Sequence, residues 1–377
     1  MAGIYIHIPF CKQACHYCNF HFSTSFERYR QEMIDAICQE IVLQKDFFGQ
    51  QKTSIRSIYF GGGTPSILTA SELEKILCAI SSNFHTEGVD EITLEANPDD
   101  MDDDFFELLS SSPINRLSVG VQSFDNLDLA YLNRIHDSQK AINSIERAIN
   151  SGIDRISSDL IFGIPTSGIS RLEKDIRTLA NIGVNHISAY GLTVEPNTSL
   201  DHLIRKKKSI PVDDLKSAEE MLWLMDFLPT LGYEQYETSN YAVPGSEAVH
   251  NSSYWQDIPY LGVGPSAHSY NKPVRSWNIA SNMPYIRSIE KGIVPCETET
   301  LDVTERYNEW VMTKIRLREG ILFDELEKEF GLQISKKFIL AVEPYIHAGA
   351  VLYKNNRFSL TVKGKLLTDS ITADLFL

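Results

Sequence analysis

The chain has 377 residues, enough for one large domain and a small one, and its composition (43% hydrophobic, 23% charged) is that of an ordinary globular protein. A net charge of −15 and a pI near 5.1 exclude a nucleic-acid binder that relies on a generally basic surface. No apolar run approaches the roughly 20 residues of a membrane span, nothing at Met1-Ala2-Gly3 reads as a signal peptide, and the scattered Cys38, Cys78 and Cys296 argue for a reducing cytoplasm rather than a disulfide framework.

An apolar, strand-like run from Ile4 to Ile8 leads directly into Cys11, Cys15 and Cys18, three of the six cysteines, spaced CxxxCxxC. Three thiolates so close converge on one metal centre, and on a four-iron cluster they leave one iron without a protein ligand, open to a small molecule. Zinc is the rival, with His7, His16 or His21 as fourth ligand. Beyond the cysteines, Phe26 to Phe47 reads as a helix in which Met33, Ile37 and Ile41 share one face, with Cys38 and Cys78 expected in helix cores. Ser54 to Phe60 is a strand ending in Gly61-Gly62-Gly63-Thr64-Pro65, and Ser71 to Phe84 a helix with Ser71 and Glu74 at capping-box spacing. Strands at 91–96, 116–121, 155–162 and 186–190 alternate with helices at 102–109, 138–150 and 170–182. Six such alternations without hairpin signals give an α/β fold of parallel βαβ units, wound into a barrel or an open sheet. The glycine-rich and polar residues fall just after the strands, where parallel α/β folds keep their sites.

From Asp201 to about Thr300 the pattern loosens. Arg205 to Lys208 reads as a solvated helix end, 212–231 as a helix and 233–237 as a strand. An aromatic stretch follows, with His250-Asn251-Ser252-Ser253-Tyr254-Trp255 and, further on, His268. Helices at 304–318, 322–330 and 335–347 and a hairpin over 351–362 turning at Asn355-Asn356 form a winged-helix-like C-terminal module. Residues 301–377 carry 11 Lys and Arg against 11 Asp and Glu, so the electrostatic footprint of DNA binding is missing there too.

At CxxxCxΦC, with Tyr17 at the aromatic position Φ, the chain resembles the radical S-adenosylmethionine (SAM) enzymes. The longer string Tyr5-Ile6-His7-Ile8-Pro9-Phe10-Cys11 is similar to the branch that contains the oxygen-independent coproporphyrinogen dehydrogenases (HemN) and the haem chaperones (HemW). This resemblance implies a partial (β/α)6 barrel over residues 1–230, a barrel extension over 231–300 and a HemN-type C-terminal domain over 301–377. It implies a [4Fe–4S] cluster on Cys11, Cys15 and Cys18. SAM contacts are implied at Tyr5, Tyr17, Gly62, Gly63, Thr64, Glu95, Gln122, Arg134 and Asp159, although Arg134 with Asp159 equally suits a structural ion pair. His250, Asn251, Tyr254 and Trp255 match the HNxxYW motif associated with haem in the chaperones, where imidazole is an iron ligand and aromatic rings wall a macrocycle.

Two departures separate the branch members. The dehydrogenases carry a further cysteine two positions after the third, where this chain has Phe20, and they have an extension ahead of the first strand. The resemblance on the chaperone side implies delivery of haem to respiratory haem enzymes by a cytoplasmic protein, as a homodimer and at the inner face of the membrane. Coproporphyrinogen dehydrogenation remains the alternative, and the sequence leaves open whether SAM is cleaved.

Overall fold

The computed structural model describes residues 1–49 and 53–377. Six parallel strands form its centre: β1 (Ala2–Ile8), β2 (Ile55–Gly62), β3 (Glu91–Ala96), β4 (Arg116–Gln122), β5 (Arg155–Phe162) and β6 (His186–Gly191). They lie in sequence order, each parallel to the next. A doubly wound sheet reverses direction at a switch point, and this one does not. Right-handed crossovers of constant direction put the connecting helices on one face and leave the other to curl around a cavity. The architecture is thus a partial barrel, which periodicity could not distinguish from an open sheet.

Strand alternation records that curl. Ile4, Ile6, Ile58, Leu94, Val119, Leu160 and Ile187 are buried towards the helices. Their neighbours Tyr5, Tyr59, Glu95, Ser118, Asp159 and Ser188 line the concave cavity. Helix Arg30–Leu43 buries Met33, Ile37 and Ile41 as its spacing predicts. Cys38 is only partly buried and Cys78 exposed, so neither is a core residue; helix positions flanking the apolar stripe face water. Helix Ala70–Asn83 is capped by Thr69 and Glu72, two residues before the expected Ser71–Glu74 box. Arg205 to Lys208 end helix Ser199–Arg205 and are exposed, as expected.

Residues 234–300, where the pattern loosens, extend the sheet to twelve strands. β7 (Glu234–Gln235) and β8 (Asn240–Ala242) add antiparallel strands beyond β6. On the other side β9 (Tyr260–Val263) runs parallel to β1, followed by antiparallel β10 (His268–Asn271), β11 (Val274–Asn278) and β12 (Cys296–Thr300). These strands are only two to five residues long, too short for alternation to show, which explains their weak signal.

The C-terminal residues keep a core of their own around Tyr307, Val311, Phe338, Val342 and Phe358. Helix Val303–Lys314 is followed by Phe323–His347, which breaks at Gly331 (φ 78°, ψ 168°) into the two expected helices. β13 (Ile321–Leu322), β14 (Val351–Lys354) and β15 (Arg357–Leu360) form a small antiparallel sheet. Asn355 and Asn356 both have positive φ, as a two-residue hairpin turn requires. Among the described residues no helix is long and apolar enough to cross a membrane.

Candidate functional site

Two loops meet at the C-terminal edge of the parallel strands. The cysteine loop leaves β1 and the glycine loop leaves β2, and their backbones are bonded directly. Gly63 N–H donates to the Ile8 carbonyl at 2.9 Å and Thr64 N–H to that of Phe10 at 2.7 Å. That approach requires glycine: a Cβ on Gly63 would lie 2.6 Å from the Phe10 carbonyl oxygen, and one on Gly62 (φ +105°) 2.5 Å from the His7 ring. The Thr64 hydroxyl donates to Cys11 Sγ at 3.3 Å and accepts from Asn97 Nδ2 at 3.1 Å. Arg134 reaches in from beyond β4, donating to Cys15 Sγ at 3.3 Å, to the Gly120 carbonyl at 2.7 Å and to Asn97 Oδ1. Its partners are therefore the cysteine loop and β4, and no ion pair with Asp159 forms.

Cys11, Cys15 and Cys18 open onto one cavity of about 600 Å³, together with Tyr5, Tyr17, Gly62, Gly63, Thr64, Glu95, Gln122, Arg134 and Asp159. Among the described residues, no three His, Cys, Asp or Glu side chains converge on a point that would hold a single ion. All three thiols face the cavity, where a four-iron cluster would take one iron on each cysteine and keep its fourth iron open. Of the three histidines considered as a fourth ligand for zinc, only His7 has both ring nitrogens bonded. His7 is bonded to Tyr5 Oη and the His21 carbonyl, His16 donates its Nδ1–H to the Tyr131 carbonyl and His21 its Nε2–H to Asn282 Oδ1. Burial pushes the Cys11 thiol up to about 12, with the Thr64 hydroxyl opposing the shift. A bound metal would have to displace that proton.

Burial shifts the acidic residues of the cavity upwards. Glu95 is pushed up to about 7, against bonds from Tyr59 Oη at 2.7 Å and Gly62 N–H at 3.2 Å, and Asp159 to about 6. Gln122 sits at φ 69° where the register of β4 against β5 slips. A bulge that turns a non-glycine residue into the left-handed region stores about 1–3 kcal/mol and re-aims its side chain, here into the cavity.

The HNxxYW segment lies at the opposite, N-terminal end of the strands. It forms helix Val249–Trp255, packed under Gly3 of β1 and Ser57 of β2. From Gly3 to Ile8 the strand rises roughly 16 Å, so the motif and the cysteine loop occupy two ends of one cavity. His250, Asn251 and Tyr254 line it; Trp255 does not. Trp255 turns towards Trp310 and Phe330 of the C-terminal module, around a separate cavity of about 190 Å³, and its buried Nε1 has no partner. His250 is 2% exposed, with Nδ1 2.8 Å from Ser57 Oγ and Nε2 2.9 Å from Tyr254 Oη. Both ring nitrogens are occupied, and burial pushes its pKa down to about 3.

The sequence pattern of the radical SAM superfamily matches residues 5–179, and that of the HemN C-terminal domain residues 301–367. The chain is 31% identical to "Heme chaperone HemW" of Lactococcus lactis over 97% of this chain and 95% of that protein. It is 32% identical to the protein of the same name from Bacillus subtilis over 98% of each. The chain belongs to the HemW family. Coproporphyrinogen III oxidase (HemN) from Escherichia coli, described as a radical SAM enzyme, superposes with a TM-score of 0.85 over 100% of this chain and 90% of its own, at 21% identity, a likeness of fold.

In this HemW-family chain, sequence reading missed the residues that hold the HNxxYW helix. Glu91, fully buried at the start of β3, accepts both N-terminal N–H groups of the helix, from Val249 and His250, at 2.9 Å each. Arg116, at the start of β4 and 1% exposed, stands 3.5 Å from Glu91 and donates to Ser157 Oγ and the Ser246 carbonyl. His186 at the start of β6 bonds Tyr236 Oη, which also accepts from Asn251. A signal existed. Parallel strands are normally apolar on both faces, whereas 91, 116, 157 and 186 put polar groups at inward positions.

Proposed function

We propose that the chain is a haem chaperone of HemW type that carries a SAM-binding [4Fe–4S] cluster and passes haem to respiratory haem proteins. The observation that carries this reading is the meeting of the cysteine and glycine loops over one cavity whose opposite end is closed by the HNxxYW helix. Cys11, Cys15 and Cys18 would hold the cluster. When bound, the cluster supplies an electron and an open iron position for SAM. Gly62, Gly63 and Thr64 leave backbone free for the amino-acid end of SAM, and Glu95 offers a carboxylate to its ribose. Arg134 places a permanent positive charge beside Cys15. Tyr5, Tyr17, Gln122 and Asp159 complete the SAM wall. His250, Asn251, Tyr254 and Trp255 form the haem-associated segment. A cytoplasmic setting, a homodimer and contact with the membrane surface belong to the same reading.

Dehydrogenation of coproporphyrinogen is the second reading, favoured by the intact SAM side of the cavity. Against it stands Phe20, 66% exposed at the rim where the dehydrogenases carry a cysteine. The test uses anaerobically reconstituted, dithionite-reduced protein, offered haem in one arm and coproporphyrinogen III with SAM in the other. Expected are stoichiometric haem uptake and no protoporphyrinogen, with iron loading lost in Cys11→Ala, Cys15→Ala and Cys18→Ala. Turnover of coproporphyrinogen would replace this reading with the second.

A further inference from the structure

Metal ligands carried on a loop keep their positions only through contacts with the rest of the fold. On one side the cysteine loop is fastened to the end of helix Asn126–Leu132. Gln13 Nε2 donates to the Asn133 carbonyl at 2.9 Å, Asn133 Nδ2 to that of Ala14 at 2.7 Å, and His16 N–H to that of Leu132 at 3.1 Å. These are neutral bonds. On the other side the tie is ionic. Lys12, the residue after Cys11, has its Nζ 2.5 Å from Asp100 Oδ1, in the turn Pro98–Asp100 that follows β3.

The two partners are unequal. The Lys12 side chain is 52% exposed, that of Asp100 2%. Asp100 is held from behind: its Oδ2 accepts from Ser66 Oγ at 3.0 Å, and Ser66 Oγ accepts from Asn97 N–H at 3.2 Å. Asn97 in turn bonds Thr64 and Arg134, the two residues that donate to the sulfurs of Cys11 and Cys15. Asp100 Oδ1 has no hydrogen-bond partner among the described residues, so the Lys12 ammonium alone answers its charge. A pair of exposed charges would contribute little. Here one partner is buried, and a loop that swings away leaves a carboxylate that water does not reach. The pair therefore favours the closed loop, with the cysteine loop, the glycine loop and the turn after β3 joined at one carboxylate.

We propose that Lys12 and Asp100 are positioning residues for the cluster, an ionic latch that holds the cysteine loop against the barrel and its thiols towards the cavity. The proposal rests on the cluster-carrying reading above. It is tested on anaerobically reconstituted, reduced full-length protein by the rate of iron release to excess ferrous chelator, well below Tm, in wild type, Lys12→Met, Lys12→Arg, Asp100→Asn and the Lys12→Met/Asp100→Asn double variant. Release should be about tenfold or more faster in Lys12→Met and Asp100→Asn, and close to the wild-type rate in Lys12→Arg, which keeps the charge. The double variant should release no faster than either single one, because the pair acts as one device. Tm of the metal-free Lys12→Met protein should stay near that of wild type, which separates a loosened loop from a destabilised fold. Should Asp100→Asn not fold, the two Lys12 variants decide alone. A wild-type release rate in Lys12→Met, or single effects that multiply in the double variant, would overturn the latch. A wild type that takes up no iron on reconstitution would instead remove the cluster reading, and this proposal with it.

Discussion

Glu95 of β3 is tied twice to β2, taking Tyr59 Oη and Gly62 N–H on its two oxygens while facing the cavity. Held at about 7, it is mostly protonated just below neutrality and is a poor acceptor for a ribose hydroxyl there. As the pH falls below 7 a proton must leave before SAM is bound through the carboxylate, so affinity should drop by up to about tenfold per pH unit. Calorimetric SAM titrations of reconstituted protein from pH 5.5 to 8 check this. Glu95→Gln should bind weakly, by about 1.5–3 kcal/mol, at every pH, with a flat profile. At this scale the sequence was most legible. Cys11, Cys15, Cys18, the glycines and Glu95 sit in contiguous strings, and short strings survive without knowledge of the fold. Glu91, Arg116 and His186 stand alone between apolar residues, and they become a group only when the strands are put in register.

Helix Val249–Trp255 has seven residues and no side-chain cap at Ala248. Its place is set from outside, by the Glu91 carboxylate on its first two N–H groups and by Arg116 behind that carboxylate. Glu91→Ala leaves a buried guanidinium without its anion and should cost about 3–5 kcal/mol, read as a lowered Tm, whereas Glu91→Gln should cost less. Iron loading at the far end of the cavity should survive both. Other elements illustrate why boundaries were harder to read than existence. Thr69–Glu72 and Ser71–Glu74 both fit a capping box. Glu72 prevails because Arg30, from the preceding helix, clasps it with two bonds of 2.7 Å, a partner 42 residues away that no local pattern reveals. The hairpin at Asn355-Asn356 needed no distant partner and was read correctly.

Across the whole molecule, Glu40 ties the first helix to the late strands. Fully buried, it accepts from Gly264 N–H at 2.8 Å, Asn278 Nδ2 at 2.7 Å and Tyr285 Oη. Burial outweighs these bonds and pushes it up to about 7. An unfolded glutamate ionises near its ordinary value, so the folded state holds the extra proton. Its stabilising effect is complete below pH ~4.5 and is lost as pH rises through 7. The Tm of the metal-free protein should therefore fall between pH 6 and 8, a change on the order of 2 kcal/mol shared with Glu95. Glu40→Gln should remove about half of that slope. The tie spans more than 220 positions, from Glu40 to Gly264, which is why the extension strands it secures were illegible.

The order of the strands also sets a timetable. β1 meets β2 early in synthesis, yet its other edge is covered only by β9, which begins at Tyr260. At roughly 5–20 residues per second, the ribosome takes tens of seconds to deliver that partner. Throughout that interval the strand feeding the cysteine loop shows unpaired backbone on one side. The floor helix does not yet exist either. Iron offered to the nascent chain would meet three thiols on an open edge, and iron offered afterwards a walled pocket. The first loop to emerge is among the last to be finished.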